Sequence, residues 1–210
     1  MIVGDAQVWL DQFTTLDDRI LERIAAIWPA CIAPLGPQPL EDAVTIALVD
    51  RLSADPIVRE ICYFIAYQHE PFGLFTDGTK YSKGKIDLAV LFDWERERYL
   101  AYECKRLNVR TASGRASLAT DYVVDGMMRF ITEQYAQELP VGCMLGYVID
   151  GDLSFAEQRV TTAIMAHAPL ALQSGPTLRA ALGAHLRFET QHRRSSGVAI
   201  DLRHALLGCA

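Results

Sequence analysis

The chain has 210 residues with 14 Gly and 9 Pro, is 50% hydrophobic and 22% charged, and carries a net charge of −6. That balance excludes a disordered tail, a collagen-like repeat and a disulfide-stapled miniprotein, and leaves enough chain for one large domain with its own core. The acidic total also speaks against a nonspecific basic coat on nucleic acid, although residues 76–115 run the other way, with nine basic and six acidic groups.

In chain order, LDDRILERIAAIW (16–28) sets Leu16, Ile20, Ile24 and Ile27 on one helical stripe, with charges opposite. Four prolines and a glycine between Pro29 and Pro39 predict a linker or wrapped loop. A second helix is predicted over 40–52, with Glu41 and Asp42 in the first turn, where the helix dipole favours acids. Residues 61–67 read as a strand and 73–84 as a glycine-punctuated loop. Residues 86–92 and 98–105 flank the charged turn Asp93-Trp94-Glu95-Arg96 and read as an antiparallel hairpin. A helix is predicted over 117–135, a strand buried on both faces over 141–149, and a helix over 155–167. Two late strands follow at 185–190 and 198–203. The fold class is α/β, a mixed central sheet flanked by helices.

No apolar run approaches the roughly 18 residues of a membrane span, and no basic-headed signal peptide opens the chain. Cys31, Cys62, Cys104, Cys143 and Cys209 are scattered without a C-x-x-C pair and read as reduced thiols. The expectation is a cytoplasmic protein with no membrane partner. Familiar signatures are missing: there is no G-x-S-x-G elbow and no H-E-x-x-H helix. The loop Gly78-Thr-Lys-Tyr-Ser-Lys-Gly-Lys85 has the wrong glycine spacing for a phosphate loop. It puts Ile86 where Ser or Thr should touch magnesium, and it precedes a strand instead of following one.

One constellation remains. Asp87 lies near the start of the first hairpin strand, and Glu103-Cys104-Lys105 near the end of the second. Residues two apart on a strand leave the same face, and an antiparallel return brings 103 and 105 beside 87. Glu103-Cys104-Lys105 is the only acid-x-Lys tripeptide in a chain with four lysines and sixteen arginines. Two acids and an ammonium in an apolar hairpin cost several kcal/mol unless they are paired or bind metal. Hard oxygen donors with a lysine beside them are what a Mg²⁺-dependent phosphodiester hydrolase requires.

Ile86-Asp87, then Glu103-Cys104-Lys105 on the neighbouring strand, in the order helix, three strands, helix, strand over 40–149, resembles the PD-(D/E)XK (restriction-endonuclease-like) nuclease superfamily. The resemblance implies a restriction-endonuclease-like core inside a nuclease domain over 39–210, preceded by a helical segment and linker over 1–38. It implies metal-dependent cleavage of nucleic acid, DNA before RNA. Carried over by residue, Asp87 and Glu103 are metal ligands, the Cys104 backbone carbonyl is a further ligand, and Lys105 acts on the attacking water. Glu41 is the added acid from the preceding helix, with Asp42 as its substitute. Mg²⁺ is the implied cofactor and Mn²⁺ its replacement. Ile86 stands in place of the nominal proline. The Gln-x-x-x-Tyr element of RecB-like members has no clean counterpart; Asp121, Tyr122 and Arg129 occupy that helix instead, where they can face the site but read better as helix packing and surface contacts.

The expected partner is nucleic acid, together with a second copy of the chain or another protein subunit. The alternative function is a catalytically inactive nuclease-fold subunit that binds or scaffolds within a larger nucleic-acid-processing complex. Glu70, and the late cluster His192, Arg193, Arg194 and His204, are further candidates for metal and phosphate contacts; Glu70 reads better as a capped, exposed strand end, and the cluster reads equally well as a solvated loop and short strand.

Overall fold

The computed structural model describes residues 6–96 and 98–210. Helix α1 (Ala6–Ile32) is followed by α2 (Glu41–Ala54), the short α3 (Pro56–Ile61) and strand β1 (Phe64–His69). A small hairpin, β2 (Phe72–Leu74) and β3 (Lys80–Ser82), leads into β4 (Ile86–Leu91) and β5 (Tyr99–Leu107). A second hairpin, β6 (Val109–Thr111) and β7 (Gly114–Ala116), precedes a helical run. In that run α4 (Ala119–Asp121) passes through a π-wound stretch (Tyr122–Met127) into α5 (Met128–Ile131). Then come β8 (Val141–Val148), α6 (Leu153–Ala166), β9 (Leu172–Leu182), β10 (His185–Arg193) and β11 (Ala199–Gly208).

Seven strands form one mixed sheet in the order β1-β4-β5-β8-β11-β10-β9. β8 runs parallel to both β5 and β11, and the remaining neighbours pair antiparallel. All eight residues of β8 are buried, as a central parallel strand covered on both faces requires. Helices α1 and α2 cover one face. There Trp28 stacks on Tyr147 and donates through Nε1 to the Gly208 carbonyl at 2.6 Å, and Thr45 bonds the Tyr147 hydroxyl at 3.1 Å. The helical run and α6 cover the other face, where the Tyr122 hydroxyl meets His204 Nδ1 at 2.9 Å. The segment 1–38, expected as a helix and linker ahead of the domain, contributes α1 to the same core as the sheet.

Four sequence expectations are corrected. Helix α1 continues through Pro29, which sits on the exposed side of the last turn, where a missing backbone bond costs least. Its buried stripe is Phe13, Asp17, Ile20, Ile24, Trp28 and Cys31, with Leu16 and Ile27 only half-buried. The stripe is rotated because Asp17 is drawn inward by Arg203 and the Tyr102 hydroxyl. The strand expected from residue 61 begins at Phe64, since Asp55 caps a helix that Pro56 opens. Burial pushes the Asp55 carboxyl up, but bonds from Arg23 and the Val58 and Ile57 amides outweigh it and hold it below the ordinary range. Finally, the loop over 73–84 contains a hairpin. The five cysteines are free thiols, and no described helix is long and apolar enough to cross a membrane.

Candidate active site

β4 and β5 pair with Leu88 opposite Tyr102, and extending that register by one residue sets Asp87 opposite Glu103. β5 in turn pairs with β8, Glu103 lying beside Met144 and Lys105 beside Gly146. The polar side chains thus stand at the centre of the sheet, on the face under the helical run. Helix α2 belongs to the opposite face, but its first turn projects past the end of β5. Glu41 there accepts the Arg106 amide at 3.0 Å through one carboxylate oxygen and the Lys105 ammonium at 3.2 Å through the other.

Lys105 Nζ is the hub. It donates to Glu103 Oε1 at 2.8 Å and to the Cys104 carbonyl at 2.8 Å, and lies 3.9 Å from Asp87 Oδ2. Asp87 Oδ2 itself accepts the Cys104 amide at 2.8 Å, which fixes its rotamer across the two strands. The structure therefore brings together Glu41, Asp87, Glu103, Lys105 and the main chain of Cys104. It adds Arg129, whose Nε is 3.3 Å from Glu103 Oε1. The Arg129 Nη1 donates to the Tyr135 hydroxyl at 2.5 Å, and that hydroxyl donates to the Lys85 carbonyl.

Gly126, in the π-wound stretch, makes this proximity sterically feasible. A Cβ there would lie 2.7 Å from the Met144 methyl, 3.5 Å from Lys105 Cγ and 3.7 Å from Glu103 Cγ. Widened turns of this kind recur at functional sites, where they re-aim a helix face.

Three carboxylates, Glu41, Asp87 and Glu103, face two cations, Lys105 and Arg129, which leaves one negative charge in excess when all are ionised. The Glu103 side chain is wholly buried, and its Oε2 has no hydrogen-bond partner among the described residues. Burial, reinforced by Asp87, pushes the Glu103 carboxyl up to about 7 against the pull of Lys105 and Arg129. Burial also raises Asp87, opposed by the Cys104 amide and Lys105. For Lys105 burial acts downward, but Glu103, Glu41 and Asp87 outweigh it and hold the ammonium above the ordinary lysine range. Lys105 is thus a cation at neutral pH, suited to donating hydrogen bonds and placing positive charge rather than to accepting a proton.

Other candidates go elsewhere. Asp42 is exposed and bonds Tyr67 on β1, away from Lys105. Glu70 lines a separate groove of about 750 Å³ with His69, Phe72, Lys83, Arg96 and Arg98. Asp121 is exposed, and Tyr122 is buried against His204. The late basic cluster is not a phosphate surface. His192 and His204 are buried and joined through Thr190 Oγ1 at 2.7 and 2.9 Å, and Arg194 is spent on the carbonyls of Ala136, Gln137 and Leu139. Only Arg193 of the four is exposed.

Among the described residues no three His, Cys, Asp or Glu side chains form a ready cage for an ion. The hard donors at the site are two neighbouring carboxylates and a main-chain carbonyl, which suits an ion that keeps water and substrate in its remaining positions. Tyr135 is the site residue that sequence spacing does not reveal, while of Asp121, Tyr122 and Arg129 on the helical run it is Arg129 that reaches Glu103. Comparison with protein-family models, with curated proteins and with solved structures gave no match to this chain.

Proposed function

We propose that the chain is a divalent-metal-dependent nuclease with a restriction-endonuclease-like core, hydrolysing phosphodiester bonds of nucleic acid, DNA foremost. The observation that carries this reading is the convergence of Glu41, Asp87, Glu103 and the Cys104 carbonyl on the single ammonium of Lys105. The succession α2, β1, β4, β5, helical run and β8 supports it, being the order on which the family resemblance rests.

Asp87, Glu103 and the Cys104 carbonyl are the groups that would hold Mg²⁺ or Mn²⁺. The surplus negative charge and the orphaned Glu103 Oε2 are what such an ion would satisfy. When bound, the ion neutralises phosphate charge and makes a water more acidic.

The chain's own residues do the rest. Lys105 offers positive charge and N–H donors to a non-bridging phosphate oxygen, where charge grows as water adds to phosphorus and a P–O bond breaks. Glu41 holds the Lys105 ammonium in place and is itself fixed by the Arg106 amide. Arg129 partners Glu103 from the helical run and, through Tyr135, ties β5 to the backbone at Lys85.

The test is incubation of end-labelled single- and double-stranded DNA and RNA with Mg²⁺, with Mn²⁺ or with a chelator. Cleavage of at least one substrate with either ion, and none with chelator, is the expected result. Cleavage that survives chelation, or intact substrates in every reaction, overturns the proposal.

A further inference from the structure

The β2–β3 hairpin leaves the sheet between β1 and β4, three residues before Ile86, and stands as a two-stranded ribbon of its own. Its register pairs Phe72 with Ser82, Gly73 with Tyr81 and Leu74 with Lys80. Phe72 and Leu74 therefore leave one side of the ribbon, and Phe75 and Tyr81 pack together on the other, ring centroids 4.6 Å apart. The Tyr81 ring lies across Gly73, where a Cβ would come within 2.3 Å of it. Phe72, Leu74 and Phe75 are 59%, 67% and 56% exposed, and Tyr81 is 39% exposed. A ribbon of two short strands is marginal by itself in water, and apolar groups on both its sides do nothing for a free monomer.

The charge on the ribbon says what covers it. Three of the four lysines in the chain, Lys80, Lys83 and Lys85, fall within six residues here, against one acid, Asp77, which is bonded to Thr79. Rings interleaved with lysines suit a polyanion that carries flat apolar faces, which is a nucleic-acid strand with its bases unpaired.

The ribbon is also wired to the candidate site. Tyr135 bonds the Lys85 carbonyl at its base and Arg129 beyond, and Arg129 reaches Glu103. A cleft of about 400 Å³, lined by Tyr81, Lys83, Thr132, Glu133, Gln134 and Gln137, runs between the ribbon and the end of the helical run.

We propose that the β2–β3 hairpin is a stacking platform for single-stranded nucleic acid, which makes a single strand the substrate class of the Lys105 site. The substrate assignment rests on the nuclease reading above; the platform itself does not. Bases stack on the Phe75–Tyr81 pair while Lys85, at the base of the ribbon, and Lys80, reaching round the edge from the Leu74 side, follow the phosphates, and the strand continues toward Asp87 along the segment that joins ribbon and β4.

Binding separates the two claims because it needs no turnover. Fluorescence anisotropy is measured in chelator with labelled single-stranded DNA, single-stranded RNA and duplex DNA of equal length and sequence. Single strands are expected to bind at least about tenfold tighter than duplex, the DNA and RNA arms showing which strand is preferred. Phe75→Ala and Tyr81→Ala are each expected to weaken binding on the order of tenfold. Lys80→Ala with Lys85→Ala should flatten the log–log salt dependence by about 0.7 per lysine. All four side chains are exposed, and unchanged circular dichroism and melting establish that the variants fold.

Duplex bound as tightly as single strands, or full affinity in both ring variants, overturns the platform even if metal-dependent cleavage is found. Ring-dependent binding of single strands without any cleavage upholds the platform and removes the nuclease reading.

Discussion

Lys105→Ala is expected to lower metal-dependent cleavage on the order of 10³-fold or more while the chain stays folded. Among the described residues its Nζ is the one cationic group within 4 Å of Glu41, Asp87 and Glu103 together, so no described neighbour can take over its donors. Arg129 contacts only Glu103 among the three, and from the helix side. Loss of the ammonium would leave Glu103 buried with a single ion-pair partner. Burial already pushes the Glu103 carboxyl up to about 7, so it can escape that penalty by taking a proton, which limits the damage to folding. Lys105→Arg is also expected to be inactive, because a planar fork does not fit a slot shaped for a point charge. Product yield per unit time, with circular dichroism as the folding control, reads both variants. Wild-type rates in Lys105→Ala would remove the lysine from the chemistry.

The largest stability loss is expected far from that site, at Asp17→Ala. Asp17 is wholly buried in α1 and accepts from Arg203 Nε at 2.5 Å and from the Tyr102 hydroxyl at 2.7 Å. Burial pulls the Arg203 guanidinium down, but Asp17 and Asp18 more than offset it. Removing one partner of a buried pair costs about 3–5 kcal/mol, since the other charge stays behind in a poor medium. Asp18, 2.5 Å from Nη2, retains part of the pairing and puts the expected loss at the lower end, about 3 kcal/mol. Arg19→Ala, exposed on the same helix, should stay within about 0.5 kcal/mol. Urea denaturation midpoints compare the two. Equal midpoints would show that the Asp17–Arg203 pair does not hold α1 to the sheet.

What could be read from the sequence was local. Alternation over 86–92 and the charged turn at 93–96 marked the β4–β5 hairpin, and the unbroken apolar run at 141–149 marked β8 as a strand covered on both faces. The two-residue spacing of Glu103 and Lys105, with Asp87 on the paired strand, sufficed to bring three side chains to one point. Glu41 was legible as a first-turn acid. The missed features depend on distant chain. Asp17 looks like a surface charge until Arg203, 186 residues later, supplies its partner. Arg129 was legible as one of three candidates on its helix, but its reach to Glu103 depends on a π-wound turn with Gly126 at the contact. His192 and His204 resemble a basic surface patch because nothing nearby in sequence announces Thr190 and Tyr122 as buried partners. The hairpins β2–β3 and β6–β7 have strands of three residues each, too short for periodicity to register.

A metal-dependent nuclease at this site requires Asp87, Glu103 and the Cys104 carbonyl to hold a divalent ion. Calorimetric titration of Mn²⁺ into the wild-type chain and into Asp87→Asn measures this binding without substrate. The asparagine keeps an oxygen to accept the Cys104 amide, so the strand pairing survives while the charge is lost. One ion per chain in the wild type, with affinity reduced at least about tenfold in Asp87→Asn, is the predicted result. No saturable binding to the wild type, or equal binding to both, would contradict it.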